Sequence, residues 1–86
     1  RLYLADKAMV YPNPANVKAI ILAGGDYTRV QVQVYPINGE IVYEELHRLD
    51  ATTRSIELDV SSYSAGMYVI RLFYHGGEEI LKLIVE

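Results

Sequence analysis

Arg29-Val30-Gln31-Val32-Gln33-Val34-Tyr35 alternates polar residues with valine along most of its length. Successive side chains of an extended chain point to opposite faces, so this stretch predicts a strand with one dry face and one wet face. Ser55-Ile56-Glu57-Leu58-Asp59-Val60 repeats the same period of two. Met67 to Tyr74 and Ile80 to Val85 are more evenly apolar, as central or doubly covered strands tend to be. No segment keeps a helical spacing of apolar residues.

Turn residues punctuate these runs. Pro12-Asn13-Pro14 ends the first, because proline has no donor and holds its predecessor extended. Gly24-Gly25-Asp26 closes the second. Asn38-Gly39 predicts a tight hairpin of type I′, whose two central residues need positive φ. Gly76-Gly77 serves before the last run. Strands are expected near 4–11, 17–23, 28–35, 40–46, 53–60, 67–74 and 78–85. Short strands at this spacing predict an all-β fold, an immunoglobulin-like antiparallel β-sandwich of about seven strands. The polar segment from Asp59 to Gly66 reads as a crossover, with one helical turn capped by Ser61 or Ser62. Tyr63 is expected to plug the open end of the sandwich, and Gly66 to relax the backbone where Met67-Tyr68 re-enters the sheet.

At 86 residues, 51% of them hydrophobic, the chain predicts a single domain with one core. It begins at Arg1, which reads as a piece of a larger secreted protein. With no cysteine, neither disulfides nor thiolate-bound zinc can brace it. The net charge is −3 and the cations are scattered singly, which argues against nucleic acid as a partner. Apolar runs such as Ala19-Ile20-Ile21-Leu22-Ala23 fall far short of the ~20 residues that span a bilayer, so no direct membrane insertion is expected. Oligomeric state is not legible in the residues.

Candidate chemistry is sparse. Glu44-Glu45 and Glu78-Glu79 are adjacent strand residues that face opposite ways and cannot share one substrate. They suit a solvated edge that resists aggregation. His47 and His75 lie at strand ends without ligand-like spacing and read as surface histidines. Ser61, Ser62 and Ser64 lack a nucleophile elbow and suit local hydrogen bonding to the backbone. Asn13, Asn16 and Asp26 are too few oxygens for calcium, and Gly24-Gly25 has no phosphate-loop context. No catalytic residue, metal site or cofactor is assigned. Among the eight tyrosines, Tyr11, Tyr68 and Tyr74 are expected to add ring area to the core, Tyr68 with a corner hydrogen bond. Tyr27, Tyr35 and Tyr43 are the candidates for an exposed partner surface.

The order of motifs resembles the C-terminal sorting domain of type IX secretion substrates of the Bacteroidetes. Val10-Tyr11-Pro12-Asn13-Pro14 matches the opening of that pattern, and Val32 to Val42, with Asn38-Gly39 and Glu40, the hairpin that follows. Leu58-Asp59-Val60-Ser61 leads to Gly66-Met67-Tyr68, and Lys82-Leu83-Ile84-Val85-Glu86 matches the closing strand. The chain departs from the pattern at Pro36, where Asp or Asn is usual, and at Glu86, where a basic residue is. The resemblance implies a passenger on the N-terminal side, transit through the periplasm, and delivery by the type IX translocon to the cell surface or the extracellular space. It also implies that a sortase removes the domain, after which the passenger is anchored to lipopolysaccharide or released.

The recognised feature is then expected to be a folded surface. The last strand should lie at a sheet edge and offer Lys82, Leu83, Ile84, Val85 and Glu86 to a translocon component by strand addition. Pro12, Asn13, Pro14, Asn38, Gly39, Gly66 and Tyr68 are expected to build the structure around it. The alternative is a structural or adhesive immunoglobulin-like module, which shares the fold, since fold does not decide function. A small enzyme or carbohydrate-binding module would need a concave aromatic and polar cluster, of which the sequence gives no sign.

Overall fold

The computed structural model describes residues 7–86, which contain seven strands and no helix. β1 (Met9–Tyr11), β2 (Lys18–Leu22) and β5 (Ser55–Asp59) form one antiparallel sheet in the order β1-β2-β5. β3 (Arg29–Pro36), β4 (Tyr43–Arg48), β6 (Gly66–Tyr74) and β7 (Gly77–Val85) form the other, in the order β4-β3-β6-β7. The two make an immunoglobulin-like sandwich. The part of the first expected strand before residue 7 lies outside the described residues.

Alternation does the work the sequence promised. Val30, Val32 and Val34 of β3 are fully buried, and Ile70 and Leu72 of β6 join them. Ala19 and Ile21 of β2 and Ile56 and Leu58 of β5 face them from the opposite sheet. Each such aliphatic side chain contributes about 1.5–3 kcal/mol by leaving water. β6 is central, whereas β7 is an edge strand. The evenly apolar composition of both leaves Met67, Val69, Phe73, Ile80 and Ile84 at least partly exposed on the outer face.

The hairpin after β3 departs from expectation. Gly39 N–H donates to the Pro36 carbonyl at 3.0 Å, so the turn is centred on Ile37 and Asn38, and neither Asn38 nor Gly39 has positive φ. The cause is Pro36. The carbonyls of Thr28 and Val34 accept from Leu49 and Val42 of the following chain, so even-numbered residues of β3 turn their main chain toward β4. Pro36 stands in that phase with no N–H, and the ladder must stop at Val34↔Tyr43. The loop widens and β4 starts at Tyr43, later than the expected 40. Glycine is needed at 39 for room, since a Cβ there would lie 2.6 Å from Pro36 Cγ. The tight hairpin of the fold is instead His75-Gly76, between paired Tyr74 and Gly77, with Gly76 at φ +84°.

The crossover contains no helical turn. Asp59 Oδ1 accepts from Ser61 N–H at 3.0 Å and from Ser61 Oγ–H at 2.6 Å, so the aspartate bends the chain and the serine donates. Those two donors hold the Asp59 carboxyl below its ordinary pKa. Tyr63 is half-buried and stacks on Tyr68 at 5.2 Å, closing this end of the core as expected. Gly66 takes φ +151° at the start of β6.

The tyrosines sort differently from expectation in three places. Tyr68 and Tyr74 are buried, but Tyr11 is 46% exposed, because Val10 takes the inward phase of β1. Tyr27, expected at the surface, stacks on Tyr74 with ring centroids 4.1 Å apart and packs against the core. Burial raises the Tyr74 hydroxyl to a pKa of about 12. Tyr43 also leans on the core and shares a 2.7 Å hydrogen bond with His47, leaving Tyr35 half-exposed on the outer face.

The last strand and its clasp

β7 pairs with β6 along its whole length, from Tyr74↔Gly77 to Gly66↔Val85. Its side chains divide by parity. Leu83 and Val85 are buried in the core and Leu81 packs against it, while Ile80 (59% exposed), Lys82 and half-buried Ile84 face outward. The expected recognition segment is therefore split. Lys82, Ile84 and Glu86 are on the outside, and Leu83 and Val85 are reachable only by unfolding the strand. Two salt bridges occur among the described residues, Lys18–Glu57 and Arg71–Glu78, and neither engages Lys82.

The outer edge of β7 is covered by the Pro-Asn-Pro loop. Asn13 Nδ2–H donates to the Lys82 carbonyl at 2.9 Å, and Ile84 N–H donates to Asn13 Oδ1 at 2.9 Å. Ala15 continues the contact as a parallel bridge to Val85. Its N–H donates to the Ile84 carbonyl at 2.8 Å, and its carbonyl accepts Glu86 N–H at 2.8 Å. A carboxamide carries one donor side and one acceptor side, like a peptide group, so Asn13 stands in for a residue of a neighbouring strand. Pro12 and Pro14 flank it without adding N–H groups that would need partners.

The other end of β7 is fastened separately. Ala8 is buried, and its N–H donates to Glu79 Oε2 at 2.8 Å. Arg54 holds the adjacent loop, donating to the carbonyls of Tyr27 at 2.7 Å, Gly25 at 2.8 Å and Gly24 at 3.3 Å. Glu79, expected on a solvated edge, is half-buried and bonded to Ala8, and Arg54 does not stand out in the sequence, because the partners of both are backbone groups far away in the chain. Of the other carboxylates, Glu44 pairs with Gln33 and Glu78 with Arg71, on the outer face. Glu78 raises the Arg71 pKa above its ordinary value.

The motif residues singled out in the sequence meet at one end of the sandwich. Tyr68 Oη–H donates to the Ser64 carbonyl at 2.6 Å, the expected corner bond, and thereby secures the crossover. Ile37 N–H donates to the Met67 carbonyl at 3.1 Å, which brings the Asn38-Gly39 loop beside Gly66. Gly66 pairs with Val85, whose strand the Asn13 loop clasps. A shallow depression of about 610 Å³ lies between the Asn38-Gly39 loop and the crossover, lined by Ile37, Val42, Tyr63, Met67 and Tyr68. A second, of about 670 Å³, lies at the other end around Tyr27, Gln31, Phe73 and His75. Neither gathers a catalytic constellation.

A family model described as secretion system C-terminal sorting domain matches residues 9–86. No curated protein matches the chain.

Proposed function

The chain belongs to the secretion system C-terminal sorting domain family, and on that premise we propose that its signal is the folded end of the sandwich built around the last residues of β7. The chain is a C-terminal sorting signal for type IX secretion, in a family of sorting signals and not of enzymes. It acts with the type IX machinery on a passenger to its N-terminal side, which is bound for the cell surface or the extracellular space. The adhesive-module alternative yields to that assignment.

In this reading the domain is a single non-catalytic unit of a larger secreted protein. The passenger crosses the periplasm, a translocon component reads the β7 end, and a sortase then detaches the domain. Lys82, Ile84 and Glu86 supply the readable side chains. Leu83 and Val85 act from beneath by fixing the strand, and Pro12, Asn13, Pro14, Asn38, Gly39, Gly66 and Tyr68 hold the surrounding loops. The observation that supports this most is that the Asn13 amide bonds the last residues of β7 and Gly66 and Tyr68 pair with Val85 and Leu83, while the loop of Asn38 and Gly39 joins the same end through the Ile37–Met67 bond to β6.

The test separates reading from folding. Residues 1–86 are fused behind a signal peptide and a fluorescent passenger in a bacterium that has the type IX machinery. Lys82→Glu combined with Ile84→Ser changes only the outer face, and should leave the domain folded while the passenger accumulates in the periplasm. Export at the unmodified level by that folded variant would refute the assignment of the β7 face. Truncating the last five residues is a poor substitute, because it removes Leu83 and Val85 from the core.

A further inference from the structure

An edge strand presents unpaired main-chain groups that invite another chain, and proteins guard such edges explicitly. β4 carries Glu44, Glu45 and Arg48, with Glu45 in the inward phase opposite Val32. β5 carries Glu57 and Asp59, and β1 is only three residues long. β7 is nine residues long, with Ile80 and Ile84 on its outer face and Lys82 between them. Its C-terminal half has a different guard, the Asn13 amide and Ala15.

The covered segment is also complementary to itself. The even-numbered residues turn their main chain outward, as the bonds from Lys82, Ile84 and Glu86 show. Two copies paired antiparallel about Ile84 would set Ile84 against Ile84, Leu83 against Val85, and Lys82 against Glu86 twice over. Opposite charges across a strand pair attract, and a self-complementary patch closes as a twofold dimer. The residues that would make this pairing are those the clasp occupies.

We infer that the segment from Asn13 to Ala15 is an edge guard anchored by Asn13: the Asn13 amide fills the Lys82 carbonyl and the Ile84 N–H, the Ala15 main chain it positions fills the Ile84 carbonyl and the Glu86 N–H, and together they prevent Lys82–Glu86 from pairing antiparallel with the same segment of a second copy. This goes beyond the sorting reading and does not depend on it. The guard is weakly held by design of its position: both Asn13 bonds are solvent-exposed. A partner able to offer a strand could therefore displace it.

The test uses the purified 86-residue chain. Asn13→Ala should keep its far-UV circular dichroism, exchange the Ile84 amide about two- to tenfold faster, the range one exposed hydrogen bond supplies, and shift from monomer to dimer mass as concentration rises. In that background Lys82→Glu alone should restore the monomer by setting Glu against Glu86, and Glu86→Lys alone should do so by setting Lys against Lys82. Mixing those two monomeric variants should give a heterodimer. An Asn13→Ala chain that stays monomeric overturns the proposal, as does association that ignores the charge changes. Asn13→Asp, which keeps the acceptor for Ile84 and loses the donor to Lys82, should associate more weakly than Asn13→Ala. Loss of the fold in both Asn13 variants would also overturn it, by making Asn13 a strut of the core and not a guard.

Discussion

An alanine scan along β7 should show stability that alternates with a period of two. Leu83 is fully buried, and removing a buried leucine side chain costs about 3 kcal/mol once the cavity is included. Val85, buried with one carbon fewer to lose than Leu83, should cost about 2 kcal/mol. Lys82→Ala and Ile80→Ala, on the exposed face, should stay within about 0.5 kcal/mol. For 86 residues the whole stability is about 4–13 kcal/mol, so the Leu83 change alone takes a large share. Urea unfolding is the natural assay, followed by circular dichroism or tyrosine emission because the chain has no tryptophan. With a slope of about 1–1.5 kcal/mol per molar urea, Leu83→Ala should lower the midpoint by about 2–3 M and Lys82→Ala by less than about 0.5 M. Equal losses at Leu83 and Lys82, or a Leu83 loss under about 1 kcal/mol, would refute the inward-outward division of the strand.

Tyr68→Phe should cost about 1–1.5 kcal/mol by leaving the Ser64 carbonyl without its 2.6 Å donor. Thermal melts should show that loss, while Tyr63→Phe should leave the corner bond untouched. The Tyr74 pKa rises from 10.0 to about 12, so its contribution is fully present below pH 10 and is lost as pH climbs toward 12. That shift corresponds to about 3 kcal/mol, and Tyr74→Phe should abolish this part of the alkaline loss when unfolding is measured across that window.

The strands were legible because burial imposes alternation, and β3 and β5 carry that pattern almost without exception. β4 was the harder strand, since its inward phase holds Tyr43, Glu45 and His47, and no apolar rhythm marks its start. Asn-Gly misled for a local reason that only the sheet phase reveals: Pro36 has no N–H to give on the side facing β4. Tyr11 misled because an aromatic side chain carries no sign of which phase its strand adopts. The motif segments were visible one by one, and their resemblance to the sorting family was visible in their order. Their meeting at one end was not, because the bonds that unite them link residues about seventy positions apart, such as Asn13 to Ile84. Nor does the sequence show that Asn13 acts on the backbone of β7, since the same residue in the same motif also suits a simple turn.

Ala8 is tied to Glu79, and Ala15 runs parallel to Val85, so the incoming chain travels beside the final strand and in the same direction. A cargo hauled from that side therefore strains these attachments together, in shear, before any one of them can be peeled away. The tether and the proposed address share a single seam of the molecule. The remaining strands stand off that line of tension, and need only keep the seam from shifting underneath.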